Sequence, residues 1–550
     1  MTFPSTAGHD PGVSEDPHPS TTLSSTRKWA ITISVMLITV TQMIDTSITN
    51  VALPHMQGSL ATSVEETSWV LTSYLAANAI AVPATAWLTG LLGRRRLFLL
   101  CASVFTASSF LSGLAPNLEF LVIMRVIQGL GGGPIIPMAQ ATMWEIFPLR
   151  QRGLAMAVWG MGIMMAPILG PTLGGWICDN WSWRWIFYVN LPIGVVGFLM
   201  ASAFLFDSPY SRKASSVDWQ GLVLMVVGFG SLQLMLDRGE RADWFESSDI
   251  TVLAVLAAFA IGCFLYRELT ADEPILNLTV FNDRNFALGS LVMASVGFGF
   301  YSSTVLLALY TQKVMAYDAW TSGLVLAPGG LGNMAALLIS GRLVARMDQR
   351  LLLGVGCALN ITAFVFMTNI SLGMDYYALA FPRFIQGLGQ GFTFVPLQTL
   401  ALATVPMQRL SNATAAYNVV RNFGGSMGIA MATTLLARRS QYHQATLAGH
   451  VTVWDPETAA RLKEWTGHFI AQGADAFTAQ RRAVAMLYRG TQDQAQVLAY
   501  ADAYVVLVIL FVGIVFLLPW MRRVRVDQAG PKAARPAGDR AEAVSGAAAD

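Results

Sequence analysis

Long runs of apolar residues, separated by short polar breaks, recur along almost the whole chain. Each run has about 20 residues, the length that an α-helix needs to cross roughly 30 Å of hydrocarbon. The pattern predicts an all-α membrane protein with about fourteen transmembrane helices. The predicted spans lie near residues 29–53, 67–89, 97–115, 119–141, 153–177, 184–206, 219–236, 250–267, 286–312, 321–345, 351–370, 376–402, 409–437 and 500–521.

Composition supports the same class. Of the 550 residues, 54% are hydrophobic and 12% are charged, whereas roughly 25% of residues are charged in a soluble globular protein. The four cysteines are far apart in or beside apolar runs, so we interpret them as core residues rather than as disulfides or metal ligands. We predict neither a metal site nor a cofactor. The four are Cys101, Cys178, Cys263 and Cys357.

Basic residues are concentrated in alternate connections. Cytoplasmic loops carry an excess of Lys and Arg, so this asymmetry indicates topology and not a nucleic-acid partner. Both chain ends are basic, which requires an even number of spans and predicts two cytoplasmic termini. The predicted inner connections hold Arg27, Lys28, Arg94, Arg95, Arg96, Arg150, Arg152, Arg212, Lys213, Arg346, Arg350, Arg522, Arg523 and Arg525, and the outer ones Arg184, Arg238, Arg241 and Lys313.

An internal repeat relates the two halves of the chain. RVIQGLGGG begins at Arg125 and RFIQGLGQG begins at Arg383, and a proline follows each. If each repeat marks the fourth helix of a six-helix bundle, two extra helices lie between the bundles, in a 6+2+6 arrangement with a central site. The predicted units are a disordered cytoplasmic tail (1–26), an N-terminal bundle (27–206), a linker pair with flanking loops (207–285), a C-terminal bundle (286–521) and a second disordered tail (522–550).

The connection at residues 438–499 is unusually long and by parity lies outside the membrane. Within it, Leu462, Trp465 and Phe469 recur at roughly helical spacing. Such spacing predicts amphipathic helices, which either cover the outer mouth or dock a partner.

Asp45 is the carboxylate that the apolar pattern places well inside a span. A charge at that depth is costly, so it is protonated, paired or turned toward a water-filled cavity. We interpret Asp45 as a proton carrier, against the alternative of a hydrogen-bonded structural residue. Arg125 lies in the fourth span, and its predicted counter-charge is either Asp45 or a set of backbone carbonyls. Arg383 and Arg421 are either functional or bound to helix ends.

Other segments have two readings each. GMGIMMAPILGPTLGG, at residues 160–175, is either a tightly packed helix or a hinge and seal between the halves, because small residues allow close helix approach and prolines allow a bend. The loop residues of LGRRRLF, at 92–98, either anchor the topology or take part in gating. The fifth-span residues are Gly160, Gly162, Pro167, Gly170, Pro171, Gly174 and Gly175, and the loop residues are Gly93, Arg94, Arg95 and Arg96.

Several polar and aromatic residues of the spans are candidates for a substrate cavity. Amide groups could hydrogen-bond a ligand and aromatic rings could stack on it, although ordinary helix–helix contacts explain each of them as well. The candidates are Asn50, Gln128, Trp159, Phe298, Tyr301 and Gln386.

Taken together, these segments resemble the major facilitator superfamily, and specifically the fourteen-span drug:proton antiporters of the EmrB and QacA group. MIDTSITNVALP, containing Asp45, resembles that group's first-span motif, and RVIQGLGGG resembles the fourth-span motif whose arginine is implicated in proton coupling. GMGIMMAPILGPTLGG resembles the antiporter motif of exporters, and WSWRWIFYVNLPIG resembles the entry to the sixth span. One departure concerns the loop after the second span, where Ala86, Gly90 and Leu91 replace the usual glycine and charged pair.

The resemblance implies proton-coupled multidrug efflux across a bacterial inner membrane, with an amphipathic small-molecule substrate and membrane lipid as surroundings. The long outer loop further implies a periplasmic adaptor protein and an outer-membrane channel as partners. Export of an endogenous metabolite, sugar or siderophore, or proton-coupled uptake, stays open. An ATP-driven pump is excluded because no lysine follows a glycine as a phosphate loop requires, and no convergent catalytic set indicates an enzyme.

Overall fold

The computed structural model describes residues 23–208, 218–271, 273–452 and 454–523. The two predicted tails lie almost entirely outside these residues. Within the described parts, helices begin at the capping residues that the sequence supplies. Ser63 and Glu66, for example, form a reciprocal capping box at the start of the second helix, which satisfies two backbone N–H groups that a helix start leaves without partners.

The first half of the chain forms eight helices in the described residues. Two of the predicted spans are each divided into two helices, the fourth at residues 133–134 and the sixth at Val189. The helices are α1 (Ser25–Leu60), α2 (Val64–Leu92), α3 (Arg94–Gly113), α4 (Leu118–Gly132), α5 (Ile135–Ile146), α6 (Leu149–Asn180), α7 (Trp185–Tyr188) and α8 (Asn190–Phe204). α1 packs against α6 and α8, while α4 packs against α2 and α3.

Two helices, α9 (Trp219–Arg238) and α10 (Ser248–Thr270), follow and pack against each other. α9 also contacts α2 of the first half. In the second half it contacts the helix at Leu410–His450, which is α15. The side chains of Thr72 and Asp237 are hydrogen-bonded on one side of α9, and Ser426 donates to Gln233 on the other at 3.0 Å. The linker pair therefore touches both halves.

The second half repeats the helix pattern of the first. Its helices are α11 (Arg284–Leu309), α12 (Ala319–Leu343), α13 (Gln349–Met367), α14 (Tyr376–Leu402), α15 (Leu410–His450), α16 (Pro456–Ala471) and α17 (Ala476–Leu517). α14 lies between α12 and α13, as α4 lies between α2 and α3, and α15 packs against α11 and α17. α11 continues into a π-helical turn at Tyr310–Val314.

Eleven helices in the described residues are long and apolar enough to cross a membrane. Three predicted spans, at 153–177, 376–402 and 409–437, also form helices but are not among the eleven. These three are α6, which is rich in glycine, and α14 and α15, which carry Arg383 and Arg421. The all-helical membrane fold is confirmed, and the number fourteen stays a prediction.

The predicted outer connection, residues 438–499, is largely helical where it is described. α15 continues to His450, and α17 already begins at Ala476, so both helices extend beyond the predicted spans. α16 packs against α17, and Gln444 donates to the Tyr488 hydroxyl at 2.9 Å. The amphipathic helices that the sequence predicts here are thus present as a hairpin.

Candidate functional site

Asp45 lies at the centre of a buried polar cluster in the first half. Its Oδ2 accepts a hydrogen bond from Nη1 of Arg125 at 2.6 Å, and its Oδ1 accepts from Nε2 of Gln128 at 2.9 Å and from Nδ2 of Asn190 at 2.7 Å. Asp45 and Arg125 are both 0% exposed. These contacts suit the ionised carboxylate, because both oxygens accept and neither has to donate.

Arg125 is held from several sides. Its Nε donates to the carbonyl of Val70 at 3.0 Å and its Nη1 also donates to Oε1 of Gln128 at 2.8 Å. The guanidinium carbon lies 4.2 Å from the ring centroid of Tyr74 and 5.6 Å from that of Phe187. The two alternatives for its counter-charge are thus both present, since it binds Asp45 and a backbone carbonyl. A buried cation needs such a set of partners.

Sequence reasoning missed two members of this cluster, Asn190 and Tyr74. Asn190 is the polar residue that opens α8 after WSWRWIFYV, and it also donates to Oγ of Ser109 at 3.0 Å. Its position at the start of an apolar run was the available signal. Tyr74 lies at an ordinary helix position in α2, and nothing in its spacing distinguishes it from a core aromatic residue.

A second buried carboxylate, Glu145, lies near the C-terminal end of α5 with 1% exposure. It follows the predicted span at 119–141, so it does not change the interpretation of Asp45 as the carboxylate well inside a span. The side chain of Arg94 pairs with Glu145, and Ser208 donates to the same carboxylate at 2.8 Å. Arg94 also donates to Oγ of Ser411 in α15 at 3.2 Å, which joins the two halves.

The rest of the arginine-rich loop is positioned around Gly93. This glycine has φ of +81°, and a Cβ there would lie 2.8 Å from Oδ1 of Asp207. The backbone N–H of Arg95 donates to that same oxygen at 2.9 Å. Arg96 is exposed. Glycine is needed here because the left-handed region is unfavourable for a residue with a side chain.

The glycines of α6 face helices of both halves. A Cβ on Gly170 would lie 1.9 Å from Oγ of Ser47 in α1, and one on Gly160 would lie 3.1 Å from the ring of Phe394 in α14. Gly162 and Gly174 contact α1 in the same way, whereas a Cβ on Gly175 would meet its nearest neighbour at 4.0 Å. Pro167 and Pro171 lie outside the described side chains. The close approach that the motif predicts is present on two sides of α6.

The candidate cavity residues are not gathered in one place. Gln128 belongs to the Asp45 cluster, and Gln386 accepts from Arg383 in the second half. Trp159, 1% exposed, stacks on Phe394 with 6.1 Å between ring centroids, at the contact between the halves. The remaining three are Asn50, which is exposed, and Phe298 and Tyr301, which are partly buried in α11.

The two arginines of the second half are buried, with 7% exposure for Arg383 and 6% for Arg421. Arg383 donates to Oγ1 of Thr304 at 3.1 Å, and Arg421 has one long contact of 3.4 Å with Asn422. The described partners of the Arg383 side chain are side chains, so the alternative that it binds a helix end is not supported. In the described residues no cluster of His, Cys, Asp and Glu suits a metal ion.

Residues 35–429 match the Major Facilitator Superfamily. The chain is 38% identical over 438 residues to the multidrug export protein EmrB of Escherichia coli strain K12, covering 80% of this chain and 86% of that protein. It is 36% identical over 444 residues to the fatty acid resistance protein FarB of Neisseria gonorrhoeae, covering 80% and 87%. The human organic anion transporter MFSD10 shares the fold, with a TM-score of 0.56, 12% identity and coverage of 89% and 100%.

Proposed function

The chain belongs to the major facilitator superfamily, in the group of multidrug exporters that includes EmrB, and we propose that it exchanges amphipathic small molecules for protons across the bacterial inner membrane. Both termini would be cytoplasmic. The observation that carries the proposal is the buried cluster around Asp45, where a carboxylate and a guanidinium neutralise each other without contact with solvent. A pair of this kind is a place where one proton can be taken up when the contacts open.

The proposed cycle is alternating access. The two halves rock about a central cavity, which opens inward to load the substrate and outward to release it. The direct side-chain bonds described between the halves are Arg94 to Ser411 and Asn418 to Gln140. The predicted topology would put them toward the cytoplasmic side. They would open when the cavity faces the cytoplasm. In either the inward-open or the outward-open state, Asp45 would release Arg125 and bind a proton.

The membrane potential can drive this exchange. Inward movement of one proton releases about 2.3 kcal/mol per 100 mV, which supports a gradient of about forty-fold for a neutral substrate before any pH difference is added. α6 would act as the seal between the halves, since its glycines are packed against both of them. The adaptor protein and the outer-membrane channel remain predictions from the resemblance.

The test is drug-driven proton flux in proteoliposomes that contain the purified full-length protein. We expect lipophilic drugs to dissipate an imposed pH gradient with the wild type and not with Asp45→Asn, because the amide cannot carry a proton. Asp249→Asn is the matched control, since Asp249 is exposed in the first turn of α10 and outside the cluster. It should behave as the wild type.

The outcomes separate the parts of the proposal. Equal responses of wild type and Asp45→Asn would make Asp45 structural. If no drug elicits a response even with the wild type, drug export is contradicted and endogenous metabolites become the next panel. Because one relative is a fatty acid resistance protein, medium-chain fatty acids belong in the first panel.

A further inference from the structure

The second half rebuilds the Asp45 cluster without its acid. Arg383 donates to Oε1 of Gln386, as Arg125 donates to Oε1 of Gln128 three residues further along its own helix. Nε2 of Gln386 then donates to Oγ of Ser303 at 2.5 Å, whereas Nε2 of Gln128 donates to the carboxylate of Asp45. Ser303 therefore occupies the position that the aspartate has in the first half.

This replacement leaves a buried positive charge without a described counter-charge. An arginine side chain stays protonated in proteins, and Arg383 is only 7% exposed. In the described residues of α11–α17, no buried residue is an aspartate or glutamate. An uncompensated buried ion costs several kcal/mol. The charge of Arg383 thus has to be balanced by something outside the described protein atoms.

The Arg383 guanidinium has a donor left for that balance. The guanidinium has five N–H donors, and two of its hydrogen bonds are described, to Gln386 and to Thr304. Its Nε is buried and has no described partner. A Cβ on Gly329 of α12 would lie 2.8 Å from that Nε, so the glycine lets the α12 backbone pack directly against the arginine side chain. Arg383 is 7% exposed, whereas Arg125 is 0% exposed.

We propose that Arg383, with Thr304 and Gln386, forms a binding site for a small monovalent anion. The ligand is a chloride ion or the carboxylate group of an amphiphile, which share one negative charge and the ability to accept N–H donors. The site is the second half's counterpart of Asp45, with the acid supplied from solution. It does not depend on proton coupling, and its test is a binding measurement, so either idea can fail alone.

The experiment measures chloride binding to the purified full-length protein in detergent. Chloride replaces gluconate at constant ionic strength, and the melting temperature is followed together with equilibrium binding of radiolabelled chloride. A ligand that binds only the folded state raises the melting temperature in a saturable way. We expect that behaviour for the wild type and for Asp249→Asn, which changes an exposed residue outside both clusters.

The decisive variant is Ser303→Asp, which installs the carboxylate that the first half has. We expect it to abolish saturable chloride binding while the protein remains monodisperse, because the internal acid now pairs with Arg383. Arg383→Gln should also abolish binding, by removing the cation.

The remaining arms identify the source of the anion and the result that overturns the site. Displacement of labelled chloride by octanoate would assign the site to carboxylates as well, and its failure to displace would restrict the site to halides. Absence of saturable chloride binding to the wild type would overturn the proposal. So would a monodisperse Ser303→Asp protein that binds chloride like the wild type.

Discussion

Asp45 is stable inside the first half because its three hydrogen-bond donors, one of which is a cation, are already in place. Arg125 balances its charge, while Gln128 and Asn190 occupy the other oxygen. A hydrogen bond to a charged group contributes about 1.5–3 kcal/mol. Each neighbour therefore influences how readily Asp45 leaves Arg125, and the neighbours can be changed without touching either charge.

Asn190 provides the corresponding prediction. Asn190→Ala removes one of three donors to Asp45, so we expect slower export by about tenfold, as each 1.4 kcal/mol corresponds to a factor of ten. Asn190→Asp should abolish export, because a second carboxylate would face Asp45 at the 2.7 Å contact now made by the amide. Initial rates in proteoliposomes measure both effects. Wild-type export by Asn190→Asp would contradict the role assigned to this contact.

At this scale the sequence predicts charges better than it predicts their partners. Asp45 and Arg125 are visible as ionisable residues in apolar runs, since their desolvation makes them rare there. Tyr74 and Asn190 are ordinary residues in such runs, and only tertiary packing brings them to the cluster. Glu145 lies close to a span end, where an acid is inexpensive, so the sequence cannot distinguish its burial from exposure.

Among the helices, α6 has the most constrained surface. It is packed against α1 on one side and against α12 and α14 on another. Its glycine-rich sequence is recognisable without a structure, but the sequence cannot tell which glycine meets which neighbour. Gly170 is in close contact with Ser47, whereas Gly175 has free space around it.

A pair of alanine substitutions uses this difference. Gly170→Ala places a methyl group where Oγ of Ser47 and the backbone of Ile48 already lie, and overpacking of this kind typically costs about 1–3 kcal/mol. We expect a lower melting temperature and a loss of monodisperse protein. Gly175→Ala should fold like the wild type, since the nearest atom lies at 4.0 Å. Equal stability of both variants would contradict the close α1–α6 contact.

The helices outside the membrane depend on capping carboxylates. Asp455 accepts from the N–H of Thr458 at 3.0 Å and from its hydroxyl at 2.6 Å. These bonds lower the pKa of Asp455, the side-chain bond most of all. An aspartate with a lowered pKa stabilises the folded state above its ordinary pKa of about 3.9, and this contribution is lost as the pH falls through the lower value.

Hydrogen exchange of the first turn of α16 tests this cap. We expect wild-type protection, corrected for intrinsic rates, to decline below pH of about 4. Asp455→Asn should stay protected at every pH, because asparagine caps a helix without titrating. Asp455→Ala should be poorly protected throughout. Identical pH profiles for the wild type and Asp455→Asn would show that the carboxylate charge is irrelevant to this turn.

At the scale of the whole molecule, the repeat in the sequence predicts two related halves, and the structure confirms their common helix pattern. The sequence also places two additional helices between them. It does not predict that α9 hydrogen-bonds to both halves, through Asp237 and Gln233, because those partners are more than 160 residues away in the chain. The bond between Arg94 and Ser411 is likewise not predictable, because these two residues are even further apart in the chain.

That bond can be removed without disturbing either half. Ser411→Ala leaves Arg94 paired with Glu145 and deletes only the contact between the two halves. A hydrogen bond to a charged group is worth about 1.5–3 kcal/mol, so we expect the ratio of inward-open to closed molecules to rise about tenfold or more. Ser295→Ala is the control, since Ser295 is half-buried and its described hydrogen bond, to the carbonyl of Leu291, stays within its own helix.

Double electron–electron resonance between spin labels at Gln151 and Met347, in a cysteine-free background, measures this population. Both positions are exposed, Gln151 on α6 and Met347 in the turn that follows α12, and they belong to opposite halves. A longer distance should gain population in Ser411→Ala and stay as in the wild type in Ser295→Ala. An unchanged distribution in both would mean that α6 and α12 hold this end of the cavity closed by packing alone, and the polar link would then have no part in the opening of the cavity.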